Sequence, residues 1–242
     1  MKKFILISAV LALLSGAAFA QKQQTEELSA ILGGMVKSDR WIIRKDKAEE
    51  EFIGNVHYEN ENYKISADRA LSQRSLNVYT LSGNVFAQRS QDGQTISLQA
   101  AKVFFNRKKD SGYAQGSKKK QIKASFANPN NTFNLYADRV DFSNKFKLFK
   151  AEGDCELSDL NNTLYAGEMT YDVPSGVFTA EKRRPTLFGF NDDGDYALQA
   201  DVIAADNKNG VYKASGGVRG WITPAEDISK YTQGQKDGTQ IF

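Results

Sequence analysis

Apolar and polar residues alternate along most of this chain, and at six places the alternation slips by one residue. Take Ser38, Ala67, Ala100, Ala137, Ala166 and Ala200 as origins. Two residues before each stands an apolar side chain: Val36, Ile65, Leu98, Leu135, Leu164 and Leu198. Four before, Tyr63, Ile96, Phe133 and Tyr196 extend the series, with Asn162 the exception. A period of two marks a strand with one buried face. Beyond the origin the apolar positions fall three on (Trp41, Ala70, Val103, Val140, Met169, Ile203) and five on (Ile43, Phe105, Phe142, Tyr171, Ala205, against Ser72). An odd step between two even runs demands a bulge or sharp bend, because otherwise one run would face water.

A glycine follows the origin at a constant distance of sixteen residues, at Gly54, Gly83, Gly116, Gly153 and Gly216, while Lys182 keeps the interval after Ala166. The distance from each of these to the next origin varies. A constant segment joined by adjustable loops is a structural repeat, and a period of this order belongs to stacked architectures. Asp follows the origin at Asp39, Asp68, Asp138 and Asp201, which reads as a cap on the bend. The expected fold is all-β: a repeat-built antiparallel jelly roll of two facing sheets, open-ended, with about six two-strand repeats. If each unit adds one strand to each sheet, the stack rises roughly 30 Å.

The repeat occupies residues 36–223. Residues 1–20 read as a cleaved signal peptide, with Lys2 and Lys3 before the apolar run Phe4 to Leu14 and a small-x-small site at Ala18-Phe19-Ala20. Residues 21–35 form a lead-in, and residues 224–242 a polar tail. Loss of the two signal lysines takes the formal charge from +3 to +1, which gives no general case for nucleic-acid binding. The lone Cys155 has no partner for an intramolecular disulfide, so the fold rests on burial. His57 is the only histidine and reads as a surface strand residue. No nucleophile elbow, zinc spacing or nucleotide-binding loop is present, and the chain reads as a non-enzyme without a cofactor or metal.

The segments Ile65-Ser66-Ala67-Asp68 with Leu81-Ser82-Gly83-Asn84-Val85, and Leu135-Tyr136-Ala137-Asp138 with Ala151-Glu152-Gly153-Asp154-Cys155, resemble the repeats of the OstA-like (LptA) family. The likeness runs from residue 36 to about 220. Gly116-Ser117-Lys118 and Lys182-Arg183-Arg184-Pro185 depart from it. The resemblance implies a periplasmic protein that carries lipopolysaccharide, or a similar glycolipid, from the inner to the outer membrane, holding acyl chains in an apolar slot. It also implies inner- and outer-membrane partners of related jelly-roll fold and end-to-end self-association. On that reading the slot is lined by Ile65, Leu98, Val103, Phe105, Leu135, Val140, Phe142, Leu164, Met169, Tyr171, Leu198 and Ile203. The terminal edges would offer Trp41, Ile43, Val218 and Trp221 to partners, and Lys118, Lys119, Lys120, Arg183 and Arg184 could meet an anionic head group. Two other classes fit the repeat: a polysaccharide-binding or -processing β-solenoid, and a structural envelope protein with a closed, dry core.

Overall fold

A computed structural model describes residues 35–224, apart from 92, 130, 144, 145, 192, 193 and 207. The expected signal peptide, lead-in and polar tail lie outside the described residues. Eighteen strands make up the fold: β1 (Met35–Lys37), β2 (Arg40–Arg44), β3 (Glu49–Glu59), β4 (Tyr63–Gln73), β5 (Val78–Gln91), β6 (Gln94–Asn106), β7 (Ser111–Gln115), β8 (Ile122–Ala127), β9 (Thr132–Ala137), β10 (Arg139–Ser143), β11 (Leu148–Ser158), β12 (Asn162–Asp172), β13 (Val177–Glu181), β14 (Thr186–Asn191), β15 (Gly194–Gln199), β16 (Val202–Asp206), β17 (Val211–Ser215) and β18 (Arg219–Pro224). They form one antiparallel hydrogen-bonded network.

That network folds into two layers. Six long strands, β3 to β6 with β11 and β12, run through both layers; β3, β6, β11 and β12 exchange one partner halfway, while β4 and β5 keep theirs across a register slip. The second half of β6 pairs with β7 and its first half with β8, while β11 pairs first with β10 and then with β9. The first layer runs β2, β3, β4, β5, β6, β7, β10, β11, β12, β13, β16, β17, and the second runs β1, β3, β4, β5, β6, β8, β9, β11, β12, β14, β15, β18. The register slips where the sequence demands it, between Ile53 and Val56, Ser66 and Arg69, Ser82 and Val85, and Glu152 and Cys155.

Each layer holds twelve strand segments, so the stack is roughly 53 Å long rather than 30 Å. Each unit runs out through both layers and back through both, and so adds two strands to each. The last edge also needs correction. The second layer does end on β18, but the first ends on β17, which the sequence reading did not mark as an edge.

Side chains from both layers form one core, from Leu98 through Phe133, Val140, Leu157 and Phe178 to Ala205. On the outer face of the first layer, Glu51 is buried between Arg44 at 2.7 Å and Arg69. The Arg44 hydrogen bond, helped by Arg69 and opposed by desolvation, holds the Glu51 carboxyl below its ordinary value of 4.5. A depressed carboxyl contributes stability that is present above its unfolded pKa and is lost as pH falls through the folded one. Glu51→Gln is therefore expected to melt lower than the parent at pH 7, with the gap closing in acid. A gap unchanged at pH 3 would assign the loss to packing instead.

Candidate functional site

Among the described residues all twelve passages between the layers lie on one side of the stack, at residues 38–39, 54–55, 67–68, 83–84, 100–101, 116–121, 138, 153–154, 166–167, 182–185, 200–201 and 216–218. The other turns join strands within a layer. One long side is thus a covalent ridge, and on the opposite side no segment among the described residues ties the layers together. What lies between them is a trough.

Its walls follow from the register. In the first layer the row nearest the ridge reads Val103, Ala114, Val140, Ala151, Met169, Ala180, Ile203, Ala214, with large residues on outgoing strands and small ones on returning strands. Farther from the ridge run Phe105, Gly112, Phe142, Phe149, Tyr171, Phe178, Ala205 and Tyr212. Phe105 and Phe142 stack 6.2 Å apart over Gly112, where an added Cβ would sit 2.8 Å from the Phe142 ring. The second layer supplies Ile65, Ala87, Leu98, Ala124, Leu135, Leu157, Leu164, Leu187 and Leu198. Every slot residue expected from the sequence therefore lies on an inner row. The expectation missed the returning strands, which supply Phe149, Leu157, Phe178, Leu187 and Tyr212; their own alternation could have revealed them.

The trough is unevenly filled. Its middle is dry and close-packed, with Phe133, Ile122 and Leu157 at or below 1% exposure. At the carboxyl end a cavity of about 410 Å³ opens between the layers, lined by Leu164, Leu187, Leu198, Ile203, Ala205 and Ala214 with Asn162, Tyr196, Tyr212 and Lys213. The Tyr196 hydroxyl donates to Asn162 Oδ1, and Asn162 Nδ2 donates to Asp159 at 3.2 Å. Burial, then the Asp159 charge, pushes the Tyr196 phenol up; burial alone does so for Tyr212. Toward the amino end Trp41 stacks on Phe52 at 5.9 Å and donates to Glu50 at 3.0 Å. Burial, aided by the Asp138 charge, pushes the Cys155 thiol up to about 12, so it behaves as a small core side chain.

The ridge is held by polar clasps. Asn55 donates to Asp39 and Asn84 to Asp68, each at 3.0 and 3.3 Å to the two carboxylate oxygens. The carboxylates thus accept side-chain amides from the returning bend sixteen residues on. Main-chain donors at Asp39, Asp138 and Asp201 instead reach carbonyls across the bend, including Gly54, Gly153 and Gly216. Asp154 replaces the asparagine of the fourth repeat, and the clasps shift by one unit. Gln121 donates to Asp138 at 3.3 Å, and Arg183 pairs with Asp154. In the fifth repeat the small residue has moved across the bend. Gly167 stands where Asp stood and Lys182 where Gly stood; a Cβ on Gly167 would lie 2.9 Å from Lys182 Cβ.

The two basic clusters differ in kind. Lys182 pairs with Glu168, Arg183 with Asp154, and Arg184 lies 3.5 Å from Asp201. Lys118, Lys119 and Lys120 are exposed. Trp41 and Ile43 lie on the exposed first edge of the first layer. Trp221, on β18, faces outward opposite Ala197, and Val218 precedes that strand. His57 is exposed on the outer face. Among the described residues no group of three or more His, Cys, Asp or Glu side chains is placed to hold a metal ion.

No curated protein matches the chain. Among solved structures, LptH matches, described as the LptA homologous periplasmic component of the conserved lipopolysaccharide transport device from Pseudomonas aeruginosa. It is 10% identical, the match covers 62% of this chain and 82% of that one, and the TM-score is 0.29. The assignment rests instead on the sequence of the central repeats, which match the family described as LptA/(LptD N-terminal domain) LPS transport protein. Residues 64–177, just under half of the chain, are thus similar in sequence to that LptA-like family.

Proposed function

We propose that this protein is a periplasmic carrier, not an enzyme, that holds the acyl chains of lipopolysaccharide or a similar glycolipid in the trough and passes them from the inner toward the outer membrane. The observation that carries this reading is the one-sided joining of two apolar walls. Because every passage between the layers among the described residues lies on the ridge, the walls can part along the opposite side without breaking a strand-to-strand hydrogen bond. Sheltering an acyl chain of about a dozen carbons from water is worth roughly 10 kcal/mol, at ~0.8 kcal/mol per CH₂. In the dry middle a chain replaces contacts the walls already make with one another, so net affinity stays moderate and release remains feasible. The carboxyl-end cavity is the natural place for a chain to lodge first.

Partners of related fold, or further copies, would extend the trough by adding strands at the ends. Among the described residues β1 and β2 each pair on one side only, with β3, and so do β17 with β16 and β18 with β15, which leaves two pairs of edges. Exposed Trp41 and Ile43 at one end, and Ile222 at the other, give those edges apolar surface.

A photo-crosslinking residue at Phe105, Phe142, Tyr171 or Leu198 is expected to capture glycolipid in living envelopes, and one at Ile222 a protein of related fold or a second copy. The control is Arg139, whose register places it on the outer face beside Gln115 and Glu152. Equal capture of glycolipid at Arg139 would defeat the carrier reading.

A further inference from the structure

We propose that the passage from Gly116 to Gln121 is a second binding site, for phosphate-bearing anions, on the outside of the ridge and separate from the trough. The site goes beyond the carrier reading and does not depend on it. The third return bend departs from the others by an inserted turn. Gln121-Ile122 resumes the role that Asn-Val plays elsewhere, since Gln121 takes over the clasp on Asp138. Ser117 to Lys120 are therefore extra residues projecting from a bend that is already complete.

The projection has a fixed shape. Ser117 N–H donates to the Lys120 carbonyl at 2.8 Å, and Ser117 Oγ accepts from the Lys119 and Lys120 amides at 3.3 and 3.1 Å. Gly116 N–H donates to the Asp138 carbonyl at 2.8 Å, which ties the base of the turn to the next repeat. A short, tied turn thus presents three successive ammonium groups at little further cost in backbone order.

Comparison with the fifth return bend shows what these lysines are not for. Both bends face an outgoing bend that has lost its aspartate, Ala101 in one case and Gly167 in the other. In the fifth, Lys182, Arg183 and Arg184 fill the gap by pairing with Glu168, Asp154 and Asp201. In the third, Lys118, Lys119 and Lys120 have no ion-pair partner among the described residues, and Ala101 leaves no carboxylate at the facing bend. Lys102 and Lys123 flank the turn on the outer faces, held over Tyr113 and Tyr136 at 5.9 and 5.6 Å. A cleft of about 340 Å³ lies beside it, bounded by Asn84, Phe86, Gln99, Ala101, Ser117 and Lys120.

Concentrated ammonium groups beside a cleft suit a compact, multiply charged oxyanion, and lysine serves phosphate as a point charge. The geometry also excludes the head of a lipid whose tails enter from the open side, because the ridge is the opposite side. The phosphate belongs either to the headgroup of a bilayer lipid or to a small phosphorylated molecule in solution.

Amide chemical shifts of residues 117–121 in the full chain separate these sources. The probes are glycerol 3-phosphate, vesicles of phosphatidylglycerol with phosphatidylcholine, and vesicles of phosphatidylcholine alone. At least one anionic probe is expected to shift these amides, with the response weakening as salt rises. A response to glycerol 3-phosphate assigns a soluble ligand; a response to anionic vesicles alone assigns a membrane headgroup. The triple variant Lys118→Gln, Lys119→Gln, Lys120→Gln is expected to lose the response. Arg107→Gln, Lys108→Gln, Lys109→Gln removes the same charge from a hairpin away from the ridge and is expected to keep it. Silence toward both anionic probes, or equal loss in the two variants, overturns the site. Glycolipid capture in the trough is expected to survive in the Lys118–Lys120 variant, so failure of the carrier reading would register separately.

Discussion

Phe133→Ala is expected to melt about 10 °C below the parent, the largest effect of any single substitution considered. Phe133 is 1% exposed and its ring lies 6.3 Å from that of Phe126, in the close-packed middle of the trough. Truncating a buried phenylalanine costs about 3–5 kcal/mol, part of it for the cavity left behind. For a domain of this size each kcal/mol lowers the melting temperature by roughly 2–4 °C. The contrast is Tyr212→Ala at the carboxyl end, where the cavity already exists and the side chain is 45% exposed, so the loss should be small. Thermal melts of the two variants decide whether the middle is a filled core that must be parted or a channel already open. Near-parental melting of the Phe133 variant would mean that the walls do not meet there.

This uneven filling was not legible in the sequence, and the reason is physical. Periodicity reports which face of a strand is apolar, and the twelve residues it assigned to the slot, from Ile65 to Ile203, all lie on inner rows. It says nothing about the gap between two apolar faces. That gap depends on side-chain size in pairs of rows contributed by distant strands. Phe126 with Phe133 fills the middle, whereas Asn162 with Gly189 and Tyr196 leaves room at the end. The bends were legible because each is a local event: a phase slip, a small residue, a glycine at fixed distance. The clasps were only half legible. Asp68 and Asn84 lie sixteen residues apart in one repeat and could have been paired from the constant interval. Gln121 with Asp138 and Arg183 with Asp154 join different repeats, and only the stacking order reveals them. The stack length failed for a related reason: twelve bends could be counted, but their number does not say that each unit returns through both layers.

The clasp itself yields the second large effect. Gly83 has φ of +71°, and a Cβ there would run into the Asp68 carboxylate. Gly93 has nearly the same φ, +74°, with nothing within 4 Å of the added atom. Both alanine variants incur the left-handed penalty of an L-residue, about 1–2 kcal/mol. Gly83→Ala must in addition displace Asp68 from Asn84, which forfeits a charge-assisted hydrogen bond worth about 1.5–3 kcal/mol. It is therefore expected to be the less stable of the two by about 2 kcal/mol, or roughly 4–8 °C in melting temperature. The carboxylate is the cause, so removing it should make the alanine better tolerated. Asp68→Ala alone is expected to destabilise, yet the double variant Asp68→Ala, Gly83→Ala should be more stable than the sum of the single losses allows. Denaturant melts of the four proteins close this cycle. Equal losses at Gly83 and Gly93, or strict additivity between Asp68 and Gly83, would mean that the constant sixteen-residue interval reflects backbone conformation alone and that the clasp contributes nothing to holding the ridge.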